Sequence, residues 1–211
     1  MTFDHFTEQI STTDALESII GTPSSLALKK ELTALDEHMR RFIAHSPFVV
    51  ISTVSADGRC DASPRGDPAG SIHVIDDKTL LIPDRPGNRR ADSLRNILET
   101  GNVGLLFMVP GFGETLRVNG KAVILRDEKW LTTLEANGKR PALAIAVLVE
   151  QCFLQCAKAL LRSKLWDLPE RPSIQSLPCA AEMLAHHVQM PEYDEANMQS
   201  LLDGSYKNNL Y

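Results

Sequence analysis

Apolar residues follow two periods along the chain, and helical spacing governs the first part. Thr13, Asp14, Ala15, Leu16, Glu17 and Ile19 read as a short capped helix that stops at Gly21. Pro23 stands at the first turn of a longer predicted helix, with Leu26, Leu28, Leu32, Leu35, Met39, Phe42 and Ile43 on one broad apolar face until Ser46-Pro47 ends it. From Phe48 the period changes. Phe48 to Val54 is rich in β-branched residues and predicts a buried strand, Ser55 to Gly58 a turn, and Arg59 to Ser63 the returning strand of a hairpin. Pro64 to Gly70 predicts a loop, because two prolines remove ladder donors and two glycines loosen the backbone. Ile72 to Ile75 and Thr79 to Ile82 make a second hairpin around Asp76-Asp77-Lys78.

Pro86 and Gly87 then break the strand, and Asn88 is placed to cap a helix whose Leu94, Ile97 and Leu98 share an apolar face. Val103 to Val109 predicts a strand and Pro110 to Gly113 a turn. A long alternating strand follows, with Leu116, Val118, Gly120, Ala122 and Ile124 on one face and Arg117, Asn119, Lys121 and Arg126 marking the other. Asp127 caps a short helix carrying Trp130, Leu131 and Leu134, closed by Asn137-Gly138. The unalternating apolar run that opens Ala142 to Phe153 predicts a last strand buried on both faces at first. Pro169 to Pro178 reads as a linker, and Ala180, Met183, Leu184 and Val188 mark an amphipathic helix, with another over Tyr193 to Leu202. This order predicts a mainly β fold with peripheral helices, an antiparallel barrel of about six strands. It divides into a helical extension over 1–46, a barrel over 47–167, and a linker and helical tail over 168–211.

Composition narrows the partners. A formal net charge of −5 argues against nucleic acid, which selects a broad positive field. The apolar run Ala142 to Val149 is far below the roughly 18 residues that suggest a membrane span. Cys60, Cys152, Cys156 and Cys179 show neither disulfide-framework nor zinc spacing, and Met1 to Gln9 has no signal-peptide pattern. The expectation is a cytoplasmic protein without a metal site.

Against that negative background, the basic cluster Arg85, Arg89 and Arg90 is local. It crowds the start of the predicted helix, where the macrodipole opposes cations unless an anion is bound as well. A phosphate held by guanidinium forks and helix amides resolves the conflict; the alternative is a solvated basic face on an ordinary capped helix. Farther on, Lys158, Arg162 and Trp166 recur at intervals of four and are placed on one helical face, either as a ligand surface or as an ion pair beside a packed Trp. Cys156 opens that segment, and its expected role is a small buried thiol, dispensable for ligand binding, rather than a reactive cysteine. His186-His187 points two ways on one helix and makes a poor joint ligand, His38, His45 and His73 have no motif around them, and His5 lies near the terminus.

Several motifs in order carry a resemblance: Phe48 to Val54, Asp61-Ala-Ser-Pro-Arg-Gly-Asp-Pro68, Leu81-Ile-Pro-Asp-Arg-Pro-Gly-Asn-Arg-Arg90, Val103 to Phe107 and Glu114-Thr-Leu-Arg-Val-Asn-Gly120. Together they resemble the pyridoxamine 5'-phosphate oxidase-like, FMN-binding split-barrel superfamily, over about Phe48 to Asp167. Within it, Cys156-Ala-Lys-Ala-Leu-Leu-Arg-Ser-Lys-Leu-Trp166 is similar to the ending of a branch of probable FMN-dependent enzymes of unassigned substrate. The resemblance implies a homodimer with FMN at the subunit interface. It places the flavin phosphate at Asn88, Arg89 and Arg90 with Arg85 nearby, and matches Ser63 and Arg65 to an earlier flavin-binding strand. Pro83 and Asp84 match the stretch beside the ring, Glu114 and Thr115 the polar positions that reach it from the long strand, and Lys158, Arg162 and Trp166 are candidates to face a flavin across the dimer.

Two signatures of authentic pyridoxamine 5'-phosphate oxidases, an Arg-x-Val-Leu-Leu-Lys strand and a carboxy-terminal Arg-Leu-His segment, do not occur here. The cofactor is therefore carried over and the vitamin B6 substrate is not. The leading expectation is an FMN-dependent oxidoreductase that exchanges hydride or electrons through flavin N5 with a small-molecule substrate or electron donor. The competing readings are a non-catalytic flavin-binding or storage protein, and a split barrel that uses a deazaflavin or haem. Gly111-Phe-Gly113 lacks a dinucleotide-binding glycine pattern.

Overall fold

In the computed structural model, which describes residues 3–167, 174 and 176–211, the barrel is a seven-stranded antiparallel sheet. The strands are β1 (Phe48–Val54), β2 (Cys60–Gly66), β3 (His73–Val74), β4 (Thr79–Asp84), β5 (Asn102–Met108), β6 (Thr115–Leu125) and β7 (Leu143–Gln155). Their order, β2-β1-β5-β6-β7-β4-β3, leaves both ends unbonded, so the barrel is split rather than closed. The helices are α1 (Thr13–Ile20), α2 (Ser25–Lys29), α3 (Glu37–His45), α4 (Asp92–Thr100), α5 (Glu128–Thr133), α6 (Lys158–Ser163), α7 (Ala180–Val188) and α8 (Glu195–Asn208). Among the described residues no helix is long and apolar enough to cross a membrane.

Alternation decides which side chains fill the barrel. On β6, Leu116, Val118 and Ala122 are buried while Arg117, Lys121 and Val123 are exposed, as the period of two requires. β7 begins with adjacent buried residues, Ala144 and Ile145, and alternates over Val147 to Glu150; past the bulge the phase shifts and Cys152 is the next buried residue. At the bulge between Asn119 and Gly120, a Cβ on Gly120 would sit 2.0 Å from the Leu148 carbonyl oxygen; only glycine lets the strands approach there.

Three local expectations are corrected. The helix predicted from Pro23 to His45 is two helices, because Leu32 leaves the helical path to exchange hydrogen bonds with Cys152 of β7, and Asp36 starts α3 afresh by accepting from the Met39 amide at 2.8 Å. Leu26 and Leu28 are consequently exposed. The loop predicted from Pro64 is strand as far as Gly66; β2 is an edge strand, so Pro64 forfeits no ladder bond that a neighbour needs. The first helix is capped one residue earlier than predicted, by Thr12. The expected linker from Pro169 to Pro178 lies mostly outside the described residues. Beyond it, α7 and α8 stand where amphipathic helices are expected, with α8 running on to Asn208.

Helix α4 lies over the β1–β2 hairpin and is fastened by polar side chains. Ser93 donates to Asp61 of β2 at 2.6 Å, Asn96 to Thr53 of β1 at 3.0 Å, and Thr100 to the Val54 carbonyl at 2.9 Å. Residues 93, 96, 97 and 100 are one helical face, so the packing face is half polar. Ile97 is buried, Leu94 packs against the core from its edge, and Leu98, assigned to the apolar face by spacing, points outward at 75% exposure.

Candidate functional site

The first group of candidate residues lies where the split ends of the sheet meet. Asp61, Ser63 and Arg65 are the half-buried positions of β2 and point the same way, with the exposed positions between them. β4 brings Pro83 and Asp84 against them; β3 pairs only with Leu80 and Leu81, so β4 has a free edge by the time it reaches Pro83. Arg65 Nη1 then donates to Asp84 Oδ1 at 2.8 Å. One residue on, Arg85 Nε donates to Asp67 Oδ2 at 2.6 Å, with both side chains largely buried, and Arg85 Nη2 donates to the Leu134 carbonyl at 2.8 Å. These two ion pairs join β2, at one end of the sheet order, to β4, next to the other end, at or one residue past the strands, and they do with side chains what the missing ladder does not.

Asn88, expected as the cap of α4, is not its cap. It accepts from the Arg90 amide at 3.0 Å, forming a turn before the helix, and α4 starts at Asp92 from an Ala91 that caps without a side-chain bond. Arg89 and Ala91 both take the left-handed conformation, φ 62° and 58°, which costs an L residue about 1–2 kcal/mol. Arg90 is exposed and pairs with Asp92; Arg89 is exposed and forms no ion pair among the described residues.

The second group lies at the turn between β5 and β6 and the start of α6. Glu114 is half-buried, and Thr115 is buried opposite Gln155 of β7. A Cβ on Gly113 would lie 2.9 Å from that of Ala157, so this glycine lets α6 close on the turn. Trp166 Nε1 donates to the Phe112 carbonyl at 2.8 Å, which ties the end of the segment to the same turn. The predicted shared face is corrected: α6 stops at Ser163 and Lys164 is left-handed, φ 51°, so Trp166 leaves the helical register of the exposed Lys158 and Arg162. Cys156, expected to be buried, is exposed because it follows the last paired residue of β7. The buried thiol is Cys152, whose pKa burial pushes up.

Among the described residues, no hydrogen bond, ion pair or ring contact joins the first group to the second within one chain. Each group nevertheless holds a buried polar atom without a partner: the Arg65 Nε donor in the first, and the Gln155 Oε1 acceptor beside Thr115 in the second. Such atoms are uncommon in folded proteins and cost about 1–3 kcal/mol when left unmet. Gln155 belongs to no motif in the sequence, and an amide closing a long apolar strand is its one visible signal. Asp67 is hidden for a different reason, since the prolines and glycines around it predict a plain loop.

With the strands and both groups located, similarity to known proteins can be placed on them. The sequence profile of the pyridoxamine 5'-phosphate oxidase family matches residues 35–156. The chain belongs to this family. The matched stretch contains every strand of the barrel, while α1, α2, the α6 segment with Trp166, and the α7–α8 tail fall outside it. No curated protein matches the chain. Among crystal structures, HupZ of Group A Streptococcus is 19% identical over 57% of this chain and 93% of its own, with a TM-score of 0.47. General stress protein 26 of Bacillus anthracis str. Sterne is 18% identical over 56% and 92%, with a TM-score of 0.45. An FMN-binding protein of Syntrophomonas wolfei is 12% identical over 55% and 86%, with a TM-score of 0.42.

Proposed function

We propose that this chain is a flavoprotein that holds FMN between two copies of itself and exchanges hydride or electrons with a small molecule other than a B6 vitamer. The observation that carries the reading is the pair of unmet buried atoms, Arg65 Nε and Gln155 Oε1. The pyrimidine edge of a flavin presents carbonyl acceptors beside an N–H donor, so it asks for one donor and one acceptor of this kind. Arg89, with the first amides of α4, supplies the phosphate end, beside an Arg90 that is paired with the Asp92 carboxylate. Arg85 is not assigned to the phosphate, because Asp67 and the Leu134 carbonyl already hold its guanidinium. When bound, FMN supplies the redox chemistry at N5; the protein supplies position and hydrogen bonds.

Two copies enter the reading because the groups stay apart within one chain. The first group of one protomer and the second group of its partner then complete one site, and the symmetry of a dimer repeats it. The B6 substrate is left out because the strand and carboxy-terminal signatures of the authentic oxidases are missing. The test is to identify the copurified ligand by absorption and mass, then dilute the protein. FMN release and dimer dissociation are expected at the same concentration; a monomer that keeps FMN at full affinity contradicts the reading.

A further inference from the structure

Tyr211 sits in the barrel's split as a ligand would. Its hydroxyl donates to Asp67 Oδ1 at 2.8 Å, its ring lies 5.5 Å from the Arg85 guanidinium carbon in a cation–π contact, and Lys139 Nζ donates to its main-chain oxygen at 3.3 Å. A cavity of about 310 Å³ continues from the ring along Asp84, Arg85, Pro86 and the 139–142 segment, within the volume range of small-molecule sites. Three of the four charged side chains along it are already balanced: Arg85 by Asp67, Asp84 by Arg65, and Arg140 by Glu128. Lys139 pairs with no side-chain carboxylate among the described residues; the Tyr211 main-chain oxygen is what meets its ammonium.

The tail that delivers Tyr211 is lightly attached. Helices α7 and α8 pack mainly on each other, burying Ala181 and Met198 between them, and neither contributes to the barrel core. Withdrawal of Tyr211 leaves that core intact and uncovers an acceptor on Asp67, the face of Arg85 and the ammonium of Lys139.

We infer that the slot filled by Tyr211 is a binding site for a small hydroxylated aromatic anion, which enters through the adjoining cavity and displaces the tail. The phenol of such a ligand takes the hydrogen bond to Asp67, its ring stacks on Arg85, and its carboxylate takes Lys139 in place of the Tyr211 main-chain oxygen. Tyr211 is the internal occupant that sets the ring size and the polarity the slot accepts. The slot borders the first group, whose Arg85–Asp67 pair it uses, but none of its contacts uses Arg65, Arg89, Gln155 or the α6 segment that the flavin reading assigns to FMN, so probe binding and FMN content are read separately.

The probe is 3-(4-hydroxyphenyl)propionate, which reproduces the tyrosine side chain and adds a carboxylate, titrated calorimetrically into the full chain. Tyr211→Ala is expected to bind it at least tenfold more tightly than the wild type, because the competing side chain is gone. In that background Lys139→Ala, or replacement of the probe by 3-phenylpropionate, is expected to weaken binding about tenfold, the effect of losing one charge-assisted or phenolic hydrogen bond. Equal affinity of wild type and Tyr211→Ala, or binding indifferent to both Lys139 and the hydroxyl, overturns the inference. If Tyr211→Ala melts early, Tyr211→Phe carries the same comparison, since it keeps the ring and gives up only the bond to Asp67. FMN content measured in every variant reports on the flavin site alone and is expected to be unchanged.

Discussion

Arg85 and Arg89 stand four residues apart in one basic cluster and are used in opposite ways. Arg85 is largely buried, bonded to Asp67 and to the Leu134 carbonyl, and roofed by the Tyr211 ring. Arg89 is exposed in a left-handed turn and has no carboxylate among the described residues. A run of arginines therefore does not mark a phosphate site as a unit. Those whose donors are consumed hold the fold, and only those left over are free to take the proposed phosphate.

The sharpest way to break that contrast is stability. Arg85→Ala strands the Asp67 carboxylate in a half-closed site, and removing one partner of a buried pair typically costs about 3–5 kcal/mol. Arg89→Ala removes an exposed cation beside the positive end of a helix and is expected to change stability by no more than about 0.5 kcal/mol. Urea unfolding of both variants without ligand reads the difference; equal costs would mean that Arg85 does not hold the fold.

A smaller effect concerns pH. The hydrogen bond to Asp67 holds the Tyr211 phenol above its ordinary pKa, with burial and the Asp67 charge acting in the same direction. A raised folded pKa means that this contribution is fully present below the unfolded phenol value of about 10 and is lost as pH rises through the folded value. Protection of the tail against proteolysis is therefore expected to fall in alkaline buffer for the wild type and not for Tyr211→Phe. Matching profiles for the two would mean that the hydroxyl does not hold the tail.

The smallest effect expected is none. Cys156→Ser should leave FMN binding unchanged, and a thiol reagent should label Cys60, Cys156 and Cys179 before the buried Cys152, whose thiolate is disfavoured by burial. Loss of FMN in Cys156→Ser with the fold intact would show that the exposed thiol belongs to the site.

Strands whose burial alternates were legible from the sequence, as β6 shows, because period two and a half-buried sheet are the same fact. The turns were legible where glycine or an acidic cap demanded them, as at Gly58 and Asp127. What escaped was set by contacts between distant segments. Nothing local separates Leu32 from its helical neighbours until Cys152 claims its backbone, and Pro64 forbids a strand only if that strand is central. The site behaved similarly. Spacing found the arginines, but only the positions of Asp67 and Asp84 show which of them are spent. Trp166 fell off its predicted face because α6 ends at a left-handed Lys164, a conformation the sequence did not signal.

The central claim is that the two separated groups converge on one FMN site, with Arg65 and Gln155 at the pyrimidine edge of the ring and Arg89 at the phosphate. FMN and riboflavin titrated into wild type, Arg89→Ala and Gln155→Leu test it directly. A charge-assisted hydrogen bond contributes about 1.5–3 kcal/mol, so Arg89→Ala is expected to weaken FMN by roughly ten- to a hundredfold and leave riboflavin unchanged. Gln155→Leu is expected to weaken both ligands alike, because both carry the same ring. Equal losses of FMN and riboflavin in Arg89→Ala, or no loss of either ligand in Gln155→Leu, would contradict the account.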